Sequence, residues 1–126
     1  MQESQEALRC SCSILVYNAF SHSALKALKP GKKGKEIDAV ARDIIREAGY
    51  GECFGHGLGH SVGLQIHEDP NCNMREDRIM QAGMIMTVEP GVYVKDFGGV
   101  RIEDMVVLTA DGYENLAFSE KKLIEL

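Results

Sequence analysis

The sequence predicts a single α+β domain over residues 1–126, in which two helices are followed by several antiparallel strands. Three observations support this fold class. Residues 3–48 carry apolar side chains at helical spacing, interrupted by Pro30-Gly31. Short apolar runs bounded by Gly and Pro then occupy residues 84–108. The chain of 126 residues is 44% hydrophobic and 26% charged, which is typical of a folded globular protein.

Both helices are predicted from apolar spacing. The first runs from Glu3 to Lys29, and Pro30-Gly31 ends it. The second carries one continuous stripe at i, i+3, i+4, i+7, i+8 and i+11, between Gly34 and a terminating Gly49. That stripe consists of Ile37, Val40, Ala41, Ile44, Ile45 and Ala48. The first helix has two stripes, formed by Leu8, Cys12, Leu15 and Ala19 and by Tyr17, Phe20, Ala24 and Leu28.

The rest of the chain is predicted to be extended. Alternate glycines from Gly55 to Gly59 disfavour a helix by about 1 kcal/mol each, so residues 53–67 are expected to be irregular and extended. Residues 68–83 are expected to form a polar loop. Strands are predicted at residues 84–88, 92–95 and 100–108, with turns at Gly98-Gly99 and Asp111-Gly112.

Composition excludes several classes of partner. The net charge of −5, and the lack of aromatic residues among the basic side chains of residues 26–46, predict no nucleic-acid binding. No apolar run approaches the ~20 residues of a membrane helix, so no membrane partner is expected. The polar N-terminus, MQESQEALR, has no secretory pattern. We expect a cytoplasmic protein whose cysteines, Cys10, Cys12, Cys53 and Cys72, are reduced thiols.

The candidate site begins with a cluster of histidines in a glycine-rich stretch, formed by His56, His60 and His67. Glu89 ends an apolar strand just before Pro-Gly, and Arg101 and Glu103 would share one strand face about 7 Å apart. Each histidine alone is compatible with a structural role, and Glu89 with a solvated strand end. Together they predict a site for a divalent ion such as Mn, Co, Fe or Zn rather than Ca.

Three ordered motifs resemble those of the pita-bread metallopeptidases, the family of Xaa-Pro dipeptidases (prolidases), Xaa-Pro aminopeptidases, methionine aminopeptidases and creatinases. They are GHGLGHSVGLQIHEDP (55–70), MTVEPGVY (86–93) and GGVRIEDMVVL (98–108), and the similarity extends to residues 28–50. The combination of HEDP with GGVRIED is more similar to the proline-peptidase branch. The resemblance implies the second half of a pita-bread fold, with two N-terminal helices packed on a mainly antiparallel sheet.

The resemblance also implies roles for individual residues. His60, Glu89 and Glu103 would be metal ligands, with Glu103 bridging two ions and Glu89 serving as general acid/base. His56 and His67 would act with Glu89 in catalysis by steadying the substrate carbonyl, and Arg101 would orient the groups beside Glu103. Two divalent ions, with manganese preferred and cobalt, zinc or iron as alternatives, would activate water for attack on Xaa-Pro bonds.

The sequence departs from the family pattern before His60. The family site has five ligands, two of them Asp from upstream strands, whereas residues 1–50 contain only Asp38 and Asp43, both expected on the polar side of the second helix. We therefore expect the C-terminal half of a catalytic domain, inactive alone and able to hold one ion or none. Its expected partners are Xaa-Pro peptides, the missing N-terminal half and, through an uncovered apolar face, a second copy in a homodimer.

The alternative function is a non-catalytic pita-bread module that binds a peptide or a protein. The retained His60, Glu89 and Glu103 argue against it, because a binding module gains nothing from costly buried carboxylates.

Overall fold

The computed structural model describes residues 16–121, with side chains from residue 19 onward. A π-helical segment, Val16–Ser21, continues directly into helix α1, His22–Ala27, and a turn leads to helix α2, Gly34–Glu47. A 3-10 turn at Gly51–Cys53 follows. The two α-helices pack against each other, so the predicted helical layer is confirmed for the described part of the chain.

Strands form the second layer. They are β1 Gly59–Ser61, β2 Glu68–Cys72, β3 Ile85–Val88, β4 Gly91–Val94, β5 Gly98–Arg101, β6 Asp104–Leu108 and β7 Tyr113–Asn115. Five of them make a sheet in the order β2-β1-β3-β6-β7, while β4 and β5 form a separate hairpin. Every one of these pairings is antiparallel. The predicted α+β class is therefore confirmed.

The first helix keeps its predicted apolar stripe where it is described. Phe20, Ala24 and Leu28 are fully buried, and the helix ends at Ala27, close to the predicted stop. The remainder of the prediction, including Leu8, Cys12 and Leu15, falls outside the described residues.

Helix α2 ends at Glu47, and Gly49 is its C′ residue, as predicted. This residue has a left-handed φ of 88°, and its N–H donates to the Arg46 carbonyl oxygen at 3.0 Å. The N–H of Tyr50 donates to the Ile45 carbonyl oxygen at 3.0 Å, which completes a Schellman motif. At the other end, the Glu36 carboxylate accepts the Lys33 N–H at 2.7 Å. Caps at both ends therefore fix the length of α2.

The face of α2 differs from the prediction at Asp38. Ile37, Ala41 and Ile45 are fully buried as expected, but Asp38 is fully buried too, whereas we had predicted it on the polar side. Asp43 does lie on the exposed side, in an ion pair. Asp38 can be buried because the guanidinium of Arg42, one turn further along, bonds its carboxylate in a bidentate pair.

The predicted strand at residues 100–108 is wrong in one respect, because it divides into β5 and β6 in two different sheets. The break at residues 102–103 lies opposite Glu89 and Pro90. Pro90 has no N–H to donate, and the N–H of Glu89 donates instead to the Leu58 carbonyl oxygen at 2.8 Å. Because the facing chain offers no donor here, the strand pairing is interrupted.

Two other local predictions need correction. The turn between β4 and β5 occupies residues 95–97, just before the predicted Gly98-Gly99, with Asp96 at a φ of 60°. Residues 68–83 were expected to be a loop, yet they begin with strand β2. The strands at β3 and β4 and the turn at Asp111-Gly112 agree with prediction.

The segment after β2 is held by the carboxylate of Glu76. It accepts the Asn71 N–H at 3.0 Å and both the N–H and the guanidinium of Arg78. The Arg78 hydrogen bond lowers the pKa of Glu76 from 4.5 to about 2 despite partial desolvation. The Glu76 carbonyl oxygen accepts the N–H of Lys35 at 2.9 Å, so this segment packs over the start of α2.

The core lies between the helices and the sheet. Burial raises the pKa of the Cys72 thiol to about 12, and both Cys72 and Cys53 are free thiols, in keeping with the expected reduced state. Cys10 and Cys12 lie outside the described residues.

Between residues 16 and 121, no helix combines the length and apolar character needed to cross a membrane. The buried apolar side chains include Leu58, Met80, Met86, Val88, Val106 and Leu108.

The close approach of β1 to β3 gives a testable prediction at Gly59. A Cβ atom at this position would overlap the backbone oxygen of Thr87, so Gly59→Ala must push the strands apart. We expect it to lower the free energy of unfolding by about 1–3 kcal/mol, measured by urea denaturation. The matched control is Gly55→Ala, whose Cβ would meet no atom within 4 Å. Equal losses in the two variants would contradict the packing argument.

Candidate metal centre

His60 is the central residue of strand β1, and two hydrogen bonds orient it. Its backbone N–H donates to Thr87 Oγ1 at 3.0 Å, which ties β1 to β3. Its ring Nδ1 lies 2.9 Å from the Ser61 carbonyl oxygen. A carbonyl can only accept, so Nδ1 carries the proton, and in the neutral ring the Nε2 lone pair is free to bind a cation.

Glu89 follows β3 and meets this lone pair. Its Oε1 lies 3.1 Å from His60 Nε2 and accepts the Thr87 hydroxyl at 2.9 Å. Its Oε2 lies 3.7 Å from Nε of Arg101, and the Glu89 side chain is only 12% exposed. A lone pair and a carboxylate facing each other at this distance repel unless a proton or a cation lies between them.

Glu103 reaches the same region through the strand register. Val88 pairs with Asp104 and Gly91 pairs with Arg101, so the unchanged register puts Glu89 opposite Glu103. Glu103 is exposed, however, and does not line the cleft that His60 and Glu89 share. The Glu103 backbone oxygen accepts Nζ of Lys121 at 2.7 Å.

The imidazole of His60 and the carboxylate of Glu89 are the donors available to a divalent transition-metal ion. An imidazole nitrogen and a carboxylate oxygen that face each other are a chemically suitable pair of ligands for Mn, Fe, Co or Zn. Within the described residues, however, no three His, Cys, Asp or Glu side chains converge closely enough to hold an ion. His60 and Glu89 therefore fit as two ligands of a site that needs more donors, and the ligand role of Glu103 stays a prediction.

One cleft contains most of the predicted site. Its volume is about 360 Å³, and the His60 and His67 rings meet in it with centroids 4.4 Å apart. His56 lies further along, where its Nε2 is 3.0 Å from the Tyr93 hydroxyl. The structure thus brings His56, His60, His67, Glu89 and Arg101 to one cleft, beside Asn71 and Asn73.

Sequence reasoning missed Thr87 and Tyr93. Thr87 is buried, accepts from the His60 backbone and donates to the Glu89 carboxylate, so a single hydroxyl positions both groups. Its place two residues before Glu89 in a strand pattern could have indicated this, because residues i and i+2 share a strand face. The hydroxyl of Tyr93, in β4, lies 3.0 Å from Nε2 of His56, in the loop before β1.

The sheet presents an imidazole and a carboxylate to each other in an open cleft, with further imidazoles and a guanidinium on its walls. The chain belongs to metallopeptidase family M24, whose model matches residues 15–110.

Individual relatives agree with this assignment. The chain is 48% identical over 101 residues to the Xaa-Pro dipeptidase of Pyrococcus furiosus, a match that covers 80% of this chain and 29% of that protein. The solved Xaa-Pro dipeptidase from Bacillus anthracis superposes with a TM-score of 0.90 at 44% identity, over 96% of this chain and 34% of that one.

The prolidase from Pyrococcus horikoshii gives a TM-score of 0.86 at 43% identity, over 90% of this chain and 33% of that one. These superpositions confirm the predicted α+β fold of the pita-bread type. The chain spans about a third of the length of the proteins it matches.

The Thr87 hydroxyl gives a testable prediction. Thr87→Val keeps the shape of the side chain but leaves the His60 N–H without an acceptor and Glu89 Oε1 without a donor. We expect a loss of about 1–3 kcal/mol in the free energy of unfolding, measured by chemical denaturation. Thr87→Ser retains the hydroxyl and is expected to recover most of the loss. The interpretation fails if the serine variant is as unstable as the valine variant.

Proposed function

We propose that this chain forms one wall of the active site of a metal-dependent peptidase that cleaves Xaa-Pro bonds. The observation that carries the proposal is the contact of His60 Nε2 with Glu89 Oε1 at 3.1 Å, in a cleft lined by two further histidines. The relatives named Xaa-Pro dipeptidases support the substrate class.

His60, Glu89 and Glu103 are the proposed ligands of two divalent ions. Manganese is the proposed metal, because mixed imidazole and carboxylate donors suit it. Because no three potential ligands converge within the described residues, we propose that further donors come from a polypeptide segment other than these 126 residues. When bound, such a metal pair polarises the scissile carbonyl and lowers the pKa of water.

The chain's own residues are proposed to handle the substrate and its protons. Glu89 carries a carboxylate oxygen into the cleft and is the proposed general acid/base. His56 and His67 are proposed to donate hydrogen bonds to the substrate carbonyl as charge develops on it. Arg101, whose Nε lies 3.7 Å from Glu89 Oε2, orients that carboxylate.

Assembly and location remain proposals as well. Leu64, Ile66 and Phe118 are largely exposed in the structure, and apolar side chains of this size favour association, so we propose a homodimer. The free thiols of Cys53 and Cys72 support a cytoplasmic location.

The peptide-binding alternative has less support, because it gives no reason for the His60–Glu89 contact.

Metal titration tests the ligand set. We expect the 126-residue chain to bind no more than a single Mn²⁺ ion, because its donors form only part of the site. Glu89→Gln should weaken this binding by more than about tenfold, measured by calorimetry. Glu47→Gln, which changes an exposed carboxylate on α2, is the matched control. Tight binding of two ions, or binding that is indifferent to Glu89, would overturn the assignment.

A chimera tests the peptidase activity. Residues 15–110 would replace the matching segment of the Pyrococcus furiosus Xaa-Pro dipeptidase, which supplies the rest of the catalytic domain. We expect Mn²⁺-dependent hydrolysis of Xaa-Pro dipeptides, reduced about 100-fold or more by Glu89→Gln and unchanged by Glu47→Gln. A folded chimera that binds Mn²⁺ but hydrolyses nothing would favour the peptide-binding module instead.

A further inference from the structure

The loop from Phe54 to Leu58 carries His56 and contains Gly55 and Gly57 on either side of it. Glycine imposes little restriction on backbone angles, so this sequence does not itself fix the orientation of His56. The loop leads into β1 and therefore also sets the position of His60. Something outside the loop must hold it.

The Asp38–Arg42 pair of helix α2 provides that restraint. The Asp38 carboxylate accepts Nε and Nη2 of Arg42 at 2.7 and 3.0 Å, and the N–H of Leu58 at 3.0 Å. Arg42 also donates Nη1 to the Phe54 carbonyl oxygen at 3.1 Å and Nη2 to the His56 carbonyl oxygen at 2.8 Å. Three backbone groups of the loop are thus bonded to two side chains of one helix.

The aromatic contacts continue from the guanidinium to the imidazole. The Arg42 Cζ atom lies 4.3 Å from the centroid of the Phe54 ring. The His56 ring packs edge-on against the same Phe54 ring, with centroids 5.0 Å apart and an interplanar angle of 81°. Phe54 is buried, so it can move little between these two neighbours.

A single peptide group connects Asp38 with the protonation of His56. The N–H of Leu58 that Asp38 holds belongs to the same planar trans peptide as the Gly57 carbonyl, which points in the opposite direction. That carbonyl oxygen lies 2.7 Å from Nδ1 of His56 and accepts a hydrogen bond from the Nδ1–H group. With Nδ1 protonated, Nε2 is left as the acceptor, and it faces the Tyr93 hydroxyl at 3.0 Å.

We propose that Asp38 and Arg42 are positioning residues that hold the imidazole of His56 in the Nδ1–H tautomer at the edge of the cleft. The proposal rests on the proposed function only for the role of His56 toward substrate. The hydrogen bonds that hold the loop require no substrate or metal. Neither residue lines the His60–Glu89 cleft, so both act through the loop.

The test is ¹⁵N NMR of the imidazole rings in the 126-residue chain, without metal and at a pH where histidine is neutral. Arg42→Lys removes the planar donor set that bonds a carboxylate and two carbonyls together. We expect the shift difference between the two His56 ring nitrogens to fall by about half or more, as the tautomers mix. The signals of His22, an exposed residue of helix α1, serve as an internal comparison, and His56→Gln assigns the resonance.

The matched control is Arg46→Lys, which changes an exposed ion pair with Asp43 on the same helix. It should leave the His56 signals unchanged. A folded Arg42→Lys variant with the original His56 tautomer, or an equal change in Arg46→Lys, would overturn the proposal. Circular dichroism shows which variants are folded, and Asp38→Asn, which keeps the side-chain shape, serves as a second variant.

Amide hydrogen exchange on the unmodified chain keeps the proposal testable if both variants unfold. The Leu58 amide, held by Asp38, should exchange within about tenfold of the rate of the β3 amide of Met86. Exchange as fast as that of an unbonded loop amide would contradict a fixed loop. Neither measurement involves peptide hydrolysis, so an inactive chimera would count against the proposed function and leave this result unaffected.

Discussion

The buried carboxylate of Asp38 is the constraint on which the arrangement of the site depends. A carboxylate with no exposed surface is stable only when its charge is balanced and its oxygens are hydrogen-bonded. Arg42 balances the charge from the next turn of α2, and Leu58 supplies the third hydrogen bond. Because a guanidinium has five donors in a fixed plane, Arg42 can also bond loop carbonyls. The electrostatic requirement of one side chain thereby fixes the path of the chain into β1.

That path carries the two candidate ligands to each other. The Leu58 carbonyl oxygen accepts the Glu89 N–H at 2.8 Å, so the peptide links on either side of Leu58 connect Asp38 to the end of β3. Strand β1 can then lie against β3 because Gly59 has no side chain. The Thr87 hydroxyl bonds His60 on one side and Glu89 on the other. Thr87 thus positions both residues through one neutral hydroxyl, while the guanidinium of Arg101 lies 3.7 Å from Glu89.

Periodicity and motifs predicted part of this arrangement from the sequence. Helix α2 was predictable because its burial repeats with the helical period. The burial of Asp38 was not, because one of its partners is the backbone N–H of Leu58, twenty residues away. Residues 100–108 alternate like one strand, and only the facing Pro90 explains their division. The motifs indicated the residues of the cleft. Contacts between segments, such as those of Thr87, cannot be derived from either segment alone.

The contact between His60 and Glu89 requires a positive charge, either a proton on the imidazole or a bound cation. Nε2 of His60 and the carboxylate of Glu89 meet at the end of β3, whereas Glu103 does not line their cleft. The neighbouring cation, Arg101, is half exposed and lies 3.7 Å from the outer oxygen of Glu89, where solvent screens much of its charge. A multivalent cation between these donors would relieve all of the repulsion at once. Because a cation bound there would interact with both side chains, the His60–Glu89 contact supports the proposed metal-dependent function over a peptide-binding module.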